Sequence, residues 1–98
     1  MLNYLLELDI SPDEIYEITH KLSTDVVDAL SLSQAVVEET LEYYKSIGVT
    51  NISNIIINRP DLVLINKKEI ESIISSMDVI KIVEIMNNDI EDLILFGI

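Results

Sequence analysis

The chain has no cysteine and no tryptophan, one histidine, two glycines, two prolines and six basic residues in 98 positions. Each shortage closes a class of explanation. Without Cys there is no disulfide framework, no thiol nucleophile and no thiolate metal site. A single His argues against a His-rich metal site and against a His-paired hydrolase. Two Gly and two Pro are too few for the many tight turns of a β-sandwich or barrel. Six Lys and Arg against eighteen Asp and Glu give a formal charge of −12 at pH 7. That balance weighs against nucleic acid as a partner, because affinity there comes largely from cations neutralising phosphates. It weighs equally against an anionic membrane surface. No run approaches the ~18–20 apolar residues of a membrane span. The opening residues MLNYLLELD lack the basic region and long apolar stretch of a signal peptide. The expectation is a soluble, cytoplasmic protein.

What is present is apolar. Hydrophobic residues make up 49% of the chain, which excludes the apolar-poor composition of acidic disordered chains. The length is one domain's worth, enough to bury roughly 60–65% of the unfolded surface. Eighteen residues are Ile, none of them between Thr19 and Ser46, so periodicity rather than β-branching has to decide the secondary structure.

Periodicity favours helices throughout. Ser11-Pro12-Asp13-Glu14 reads as a helix start, with Ser as cap, Pro at N1 and Glu14 closing a capping box. Ile15, Ile18, Thr19 and Leu22 follow on one helical face, and Glu17 and Lys21 form an i,i+4 pair outside. Leu2, Leu5, Leu6 and Leu8 predict a short opening helix ending near Asp9. VVDAL predicts a short helix or 3₁₀ turn. Ser31 or Ser33 opens the longest helix, running to about Ile47 and stopped by Gly48 at C′. Thr50 or Asn51 starts the next, which Asn58-Arg59-Pro60 breaks. A turn of helix follows at Asp61 to Leu64. Asn66 with Glu69 reads as a second capping box and Asp78 as a further cap. Asn88 or Asp89 opens a last short helix to Gly97. The fold class is therefore all-α, six to eight short helices in a single domain, 1–98.

An internal repeat organises them. Shifted by thirty residues, Tyr43, Tyr44, Ile47 and Val49 fall on Ile73, Ile74, Met77 and Val79. Ile52, Ile55, Ile56 and Asn58 fall on Ile82, Ile85, Met86 and Asn88, and Val63 and Leu64 on Leu93 and Ile94. The expected units are roughly 1–38, 39–68 and 69–98. A turn made of an apolar residue, Gly or Asp, then a β-branched residue recurs at Leu8-Asp9-Ile10, Ile47-Gly48-Val49, Met77-Asp78-Val79 and Phe96-Gly97-Ile98. The middle residue either tolerates the turn or caps the next helix.

The stretch LEYYKSIGVTNISNIIINRPDLVLINKKEIESI resembles a repeat of the mTERF family, the mitochondrial transcription termination factors. Ile47-Gly48-Val49-Thr50 matches one element of the family pattern and Pro60-Asp61-Leu62-Val63 the next. The resemblance covers residues 41–98, and 1–30 weakly. It implies repeats of near thirty residues, each with two α-helices and a short 3₁₀ helix, and nucleic-acid binding through a basic concave groove. The chain departs from the family where that function lies. Lys67 and Lys68 are its only adjacent basic pair, no helix carries a basic stripe, and Ile90 replaces the Pro of the second copy.

Few residues suggest chemistry. His20 lies near a helix C-terminus, where a cation suits the dipole. Asp89, Glu91 and Asp92 cluster at a helix start without the glycine and final Glu of a calcium loop. Tyr43 and Tyr44 read as core and rim. A helix-hairpin-helix reading of SIGVTNISNII would offer Gly-turn amides to phosphate. No catalytic set, cofactor loop or metal spacing emerges, so no enzyme activity, cofactor or metal is expected. Glu38, Glu39 and Glu42 form an acidic patch on the longest helix. They are the candidate partner-binding residues of a non-enzymatic interaction module that docks a protein, one with a basic surface. The alternatives are an mTERF-like nucleic-acid binder and an acidic inhibitor or immunity-type protein that mimics nucleic acid.

Overall fold

Periodicity and caps translate into helices. The computed structural model describes residues 2–98, and among them the chain is all-helical with no strand. A 3₁₀ helix, η1 (Asn3–Leu8), leads into α1 (Pro12–Lys21), α2 (Thr24–Leu32) and α3 (Gln34–Ser46). Then come α4 (Ile52–Asn58), α5 (Asp61–Leu64), α6 (Lys67–Ser75), α7 (Val79–Asn88) and a closing 3₁₀ helix, η2 (Ile90–Phe96). The described residues thus hold nine helical segments, more than the six to eight expected.

Local chemistry explains most of the boundaries. Ser11 accepts the Glu14 N–H at 3.2 Å, and the Ser11 N–H donates to the Glu14 carboxylate at 3.0 Å, completing the box ahead of α1. Asp78 accepts the Lys81 N–H at 3.3 Å and starts α7. The expected box at Asn66 and Glu69 is only half formed. The Asn66 side chain accepts from the Lys68 N–H at 2.9 Å, while the Glu69 N–H donates to the Asn66 carbonyl at 3.0 Å. The third amide is satisfied by the backbone of a tightened first turn, and the Glu69 side chain makes no return bond to the Asn66 N–H. VVDAL belongs to a nine-residue α-helix, because Ser23 caps it by accepting the Val26 N–H at 3.4 Å. Ser31 lies inside that helix, and α3 starts after Ser33 with no side-chain cap.

The recurrent turn has two solutions. Asp9, Gly48 and Gly97 all take positive φ, 64°, 106° and 78°. Each then closes its helix by the same bonds. Their N–H groups donate three residues back, to Leu6, Lys45 and Ile94. The next residues, Ile10, Val49 and Ile98, donate five back, to Leu5, Tyr44 and Leu93, at 3.2, 3.0 and 3.1 Å. This is the Schellman closure, which consumes carbonyls a helix end leaves unpaired. Asp78 has a φ of −75° and caps the following helix instead.

The longest helix is the hub. α3 packs against η1, α2, α5 and α6, and Val37, Leu41 and Tyr44 on its inner face are fully buried. The same face carries Thr40, also fully buried. Its partner is α5, a helix of four residues, too short to satisfy its own carbonyls. The Tyr44 hydroxyl donates to the Leu62 carbonyl, and one turn earlier the Thr40 hydroxyl donates to the Ile65 carbonyl at 2.8 Å. Tyr4 of η1 does the same for α2, donating to the Leu30 carbonyl at 2.7 Å. Hydroxyls planted on packed helices thus finish their neighbours' C-termini.

Side-chain staples then close the molecule. Asn87 at the end of α7 accepts the Thr50 N–H at 2.8 Å and donates to the Gly48 carbonyl at 3.2 Å, tying α7 to the α3–α4 turn. Arg59 forks onto Asp61 at 3.1 and 2.9 Å and donates to the Ile98 carbonyl at 2.6 Å, tying the α4–α5 break to the end of η2. Asn87→Leu, which removes both turn partners, is expected to lower stability by about 1–3 kcal/mol. A urea unfolding midpoint equal to that of the parent chain would contradict the staple. The radius of gyration is 12.7 Å, close to the ~13 Å of a compact globular chain of about 100 residues. No helix among the described residues is long and apolar enough to cross a membrane.

Candidate functional site

Two hollows among the described residues bear on a site. The first, about 340 Å³, lies where the Asp9 turn meets the start of α1 and the α3–α4 turn. Its polar groups are already engaged with one another. Lys45 bridges Asp9 at 2.8 Å, and the Ser53 hydroxyl donates to Glu14 at 2.6 Å. Both carboxyls are held below the usual range, Asp9 by its bond from Lys45 and Glu14 by its bond from Ser53. This hollow is a stapled seam.

The second hollow, about 350 Å³, runs between α3 and α6. Glu39, Glu42, Tyr43 and Ser46 stand at i, i+3, i+4 and i+7 on α3, which makes them one face. Ile47 also lines it, and α6 supplies Lys67 and Glu71 from its first and second turns. Lys67 reaches Glu71 at only 3.9 Å, in the less favourable Lys-before-Glu order. Glu39 and Glu42 are exposed and have neither an ion pair nor a hydrogen-bonded partner among the described residues. The groove therefore presents three carboxylates against one loosely held ammonium.

Tyr43 forms the floor. Its residue is 9% exposed, yet its hydroxyl has no hydrogen-bond partner among the described residues. Among the described residues no fully buried polar side-chain atom is left without a partner, so the hydroxyl reaches the surface, and the surface Tyr43 lines is this groove. Burial pushes its pKa up, and the neighbouring Glu71 carboxylate pushes the same way. Tyr44, one residue on, points into the core with its hydroxyl committed to Leu62.

The structure separates the acidic residues singled out in the sequence. Glu39 and Glu42 share the groove. Glu38 is half-buried, accepts a bond from Gln34 at 2.8 Å and lies outside the lining, its charge acting on Tyr4 instead. Sequence reading missed Glu71 and Lys67, which sit on a different helix and join the site only through packing. The other candidates are accounted for locally. His20 stacks on exposed Tyr16 at 3.8 Å and its Nδ1 lies 2.8 Å from the Tyr16 carbonyl oxygen. Asp89, Glu91 and Asp92 are exposed, and Asp89 makes no side-chain cap bond. Among the described residues no three His, Cys, Asp or Glu converge into a metal-ligand set. The Gly48 turn has no amides to offer phosphate: those of Gly48, Val49 and Thr50 donate to Lys45, Tyr44 and Asn87.

Basic groups are equally committed. Lys21, Lys45, Arg59 and Lys67 each pair with a carboxylate, at 3.4, 2.8, 2.9 and 3.9 Å. Lys81 lies over the Phe96 ring at 5.8 Å. Only Lys68 of the six has no such partner among the described residues. No protein-family model matches the chain, and no curated protein or solved structure matches it either.

Proposed function

We propose that the protein is a non-enzymatic helical module that docks a basic protein surface through the α3–α6 groove. The observation that carries this reading is the pair of unneutralised carboxylates, Glu39 and Glu42, facing a third at Glu71 across an open groove. The commitment of four of the six cations to internal pairs supports a protein rather than a nucleic-acid partner, because few positive charges are left to neutralise phosphates. A lysine-rich polypeptide titrated into the protein at about 50 and about 300 mM salt tests it. Binding is expected to weaken roughly tenfold or more at the higher salt, and Glu39→Lys with Glu42→Lys is expected to abolish it. Affinity indifferent to both salt and charge reversal would sink the electrostatic reading. A gel shift with duplex DNA or RNA at ~20–50 mM salt is expected to show no complex.

We further infer that residues 39–68 and 69–98 are copies of one unit in a short mTERF-like repeat array, with 1–38 a diverged third. Support comes from local geometry thirty residues apart. Arg59 has φ, ψ of −139°, 65° and Asp89 −143°, 64°, and their N–H groups bond Ile55 and Ile85 at 2.8 and 2.7 Å. Asn58 and Asn88 each donate to the carbonyl four residues back at 2.9 Å. Leu62 and Asp92 donate to Arg59 and Asp89 at 3.0 and 2.9 Å. The Asn58→Ala and Asn88→Ala variants test the equivalence, since each deletes the same bond to the carbonyl four residues back: both are expected to shift the urea midpoint by similar amounts, and effects of opposite sign would argue against a shared unit.

A further inference from the structure

We propose that the outer side of η2 is a self-association surface, on which a second copy of this chain docks about a two-fold axis with its own η2 running antiparallel to the first. The surface is separate from the α3–α6 groove and does not depend on it. Three of the six large apolar side chains left exposed among the described residues belong to this end of the molecule. Ile80 is 81% exposed on the first turn of α7, and Ile94 and Leu95 are 73% and 77% exposed on η2, which packs against α7. Thirty residues earlier, Leu64 and Ile65 are half-buried against the core. Ile94 and Leu95 have no such cover.

The order of side chains along η2 decides what fits it. In a 3₁₀ helix residues three apart lie one above the other. Ile90, Leu93 and Phe96 make the inward face, the first two buried and the third half-buried. The two outward faces carry Glu91 with Ile94 and Asp92 with Leu95, all four exposed. At the far end the Lys81 ammonium lies over the Phe96 ring at 5.8 Å and has no carboxylate partner among the described residues. From start to end the outer side therefore runs acid, apolar, cation, over about 10 Å at ~2 Å per residue. Such an order complements itself when reversed. A two-fold axis crossing η2 near Ile94 sets the two copies antiparallel, as an isologous contact requires. The apolar pairs then meet at the axis, and each Lys81 comes to the other copy's Glu91 and Asp92. A parallel pairing would set like charge on like. A basic polypeptide would find the two acids but would be repelled by Lys81 and would leave the apolar pair uncovered.

Sedimentation equilibrium of the full chain tests this, at about 150 mM salt so that repulsion between two acidic molecules is screened beyond ~8 Å. The expected result is a reversible monomer–dimer equilibrium at chain concentrations up to about 0.5 mM, the weak contact that a small tip gives. Ile94→Gln with Leu95→Gln is expected to keep the thermal midpoint and lose the dimer. Lys81→Glu in one chain, and Glu91→Lys with Asp92→Lys in another, each set like charges together and are expected to weaken association about tenfold or more. An equimolar mixture of those two chains restores both pairs and is expected to dimerise again, close to the parent's affinity. All five positions are exposed, so helical ellipticity equal to the parent's separates loss of contact from loss of fold. A parent chain that stays monomeric throughout overturns the proposal. So does a dimer that survives Lys81→Glu, or a pair of charge variants that stay apart when mixed.

Discussion

Tyr44→Ala is expected to cost about 3–5 kcal/mol of folding stability, a large share of the ~5–15 kcal/mol available to a domain of this kind. Tyr44 is fully buried in the last turn of α3. Truncation both opens a cavity in the core and leaves the Leu62 carbonyl without its donor. Tyr44→Phe separates the two contributions, because it keeps the ring and deletes only the hydroxyl. Its expected cost is about 1–2 kcal/mol. Urea unfolding monitored by helical ellipticity checks both, with the midpoint falling and the slope unchanged. If Tyr44→Phe is as stable as the parent, the account of how α5 holds its shape is wrong. Thr40→Val, acting on the Ile65 carbonyl one turn away, should then be silent as well.

The second large effect is alkaline unfolding. Burial, with a smaller contribution from the Glu38 charge, pushes Tyr4 up to about 12. Burial, reinforced by the neighbouring Tyr43 and Asp61 and opposed by Arg59, pushes Tyr44 further still. In the unfolded chain both ionise near the ordinary ~10. Below that pH both states are protonated and stability does not respond. Above it the unfolded chain sheds protons that the folded chain retains, so stability falls with rising pH by up to about 1.4 kcal/mol per unit for each tyrosine. Across the window from about pH 10 to about 12 Tyr44 alone costs roughly 2–3 kcal/mol, and Tyr4, whose hydroxyl is less fully desolvated, adds a smaller amount. Tyrosinate absorbance and helical signal should therefore change together, in one cooperative step, within that window. Tyr4→Phe should move the step to higher pH. A Tyr4 or Tyr44 that ionises near pH 10 while the helices persist would contradict the burial and bonding described for them.

Much of the helical skeleton was legible residue by residue. Ser11 and Glu14, Asp78, Gly48 and Gly97 mark helix ends because their side chains, or the lack of one, act on backbone groups only a few positions away. Where a boundary was misjudged, a local competitor decided it. Ser23 caps α2 and makes the expected short VVDAL turn a nine-residue helix that runs past Ser31, while Asn66 opens α6 where expected and lacks only the return bond from Glu69. The site was legible only in part. Glu39 and Glu42 share a helical face that the i,i+3 spacing shows directly. Glu38, one residue away, looked equivalent because charge and proximity in sequence say nothing of which neighbour a face will meet. Glu71 and Lys67 carried no local signal at all, being brought to α3 by the packing of α6.

The sequence by itself determined that this is an acidic, cysteine-free, all-helical chain with its turns at Asp9, Gly48 and Gly97, because period, caps and composition act over a few residues. It also placed Tyr43 and Tyr44 side by side on one helix. Only the tertiary structure decided that they differ. Tyr44 meets the unpaired carbonyl of a helix too short to satisfy itself. Tyr43, about 100° further round α3, meets the gap beside α6 and keeps its hydroxyl unbonded among acids. The −12 charge acquires its meaning the same way: four of the six basic residues are engaged in internal pairs, and packing, not composition, left Glu39 and Glu42 unpaired beside a Glu71 that only Lys67 reaches.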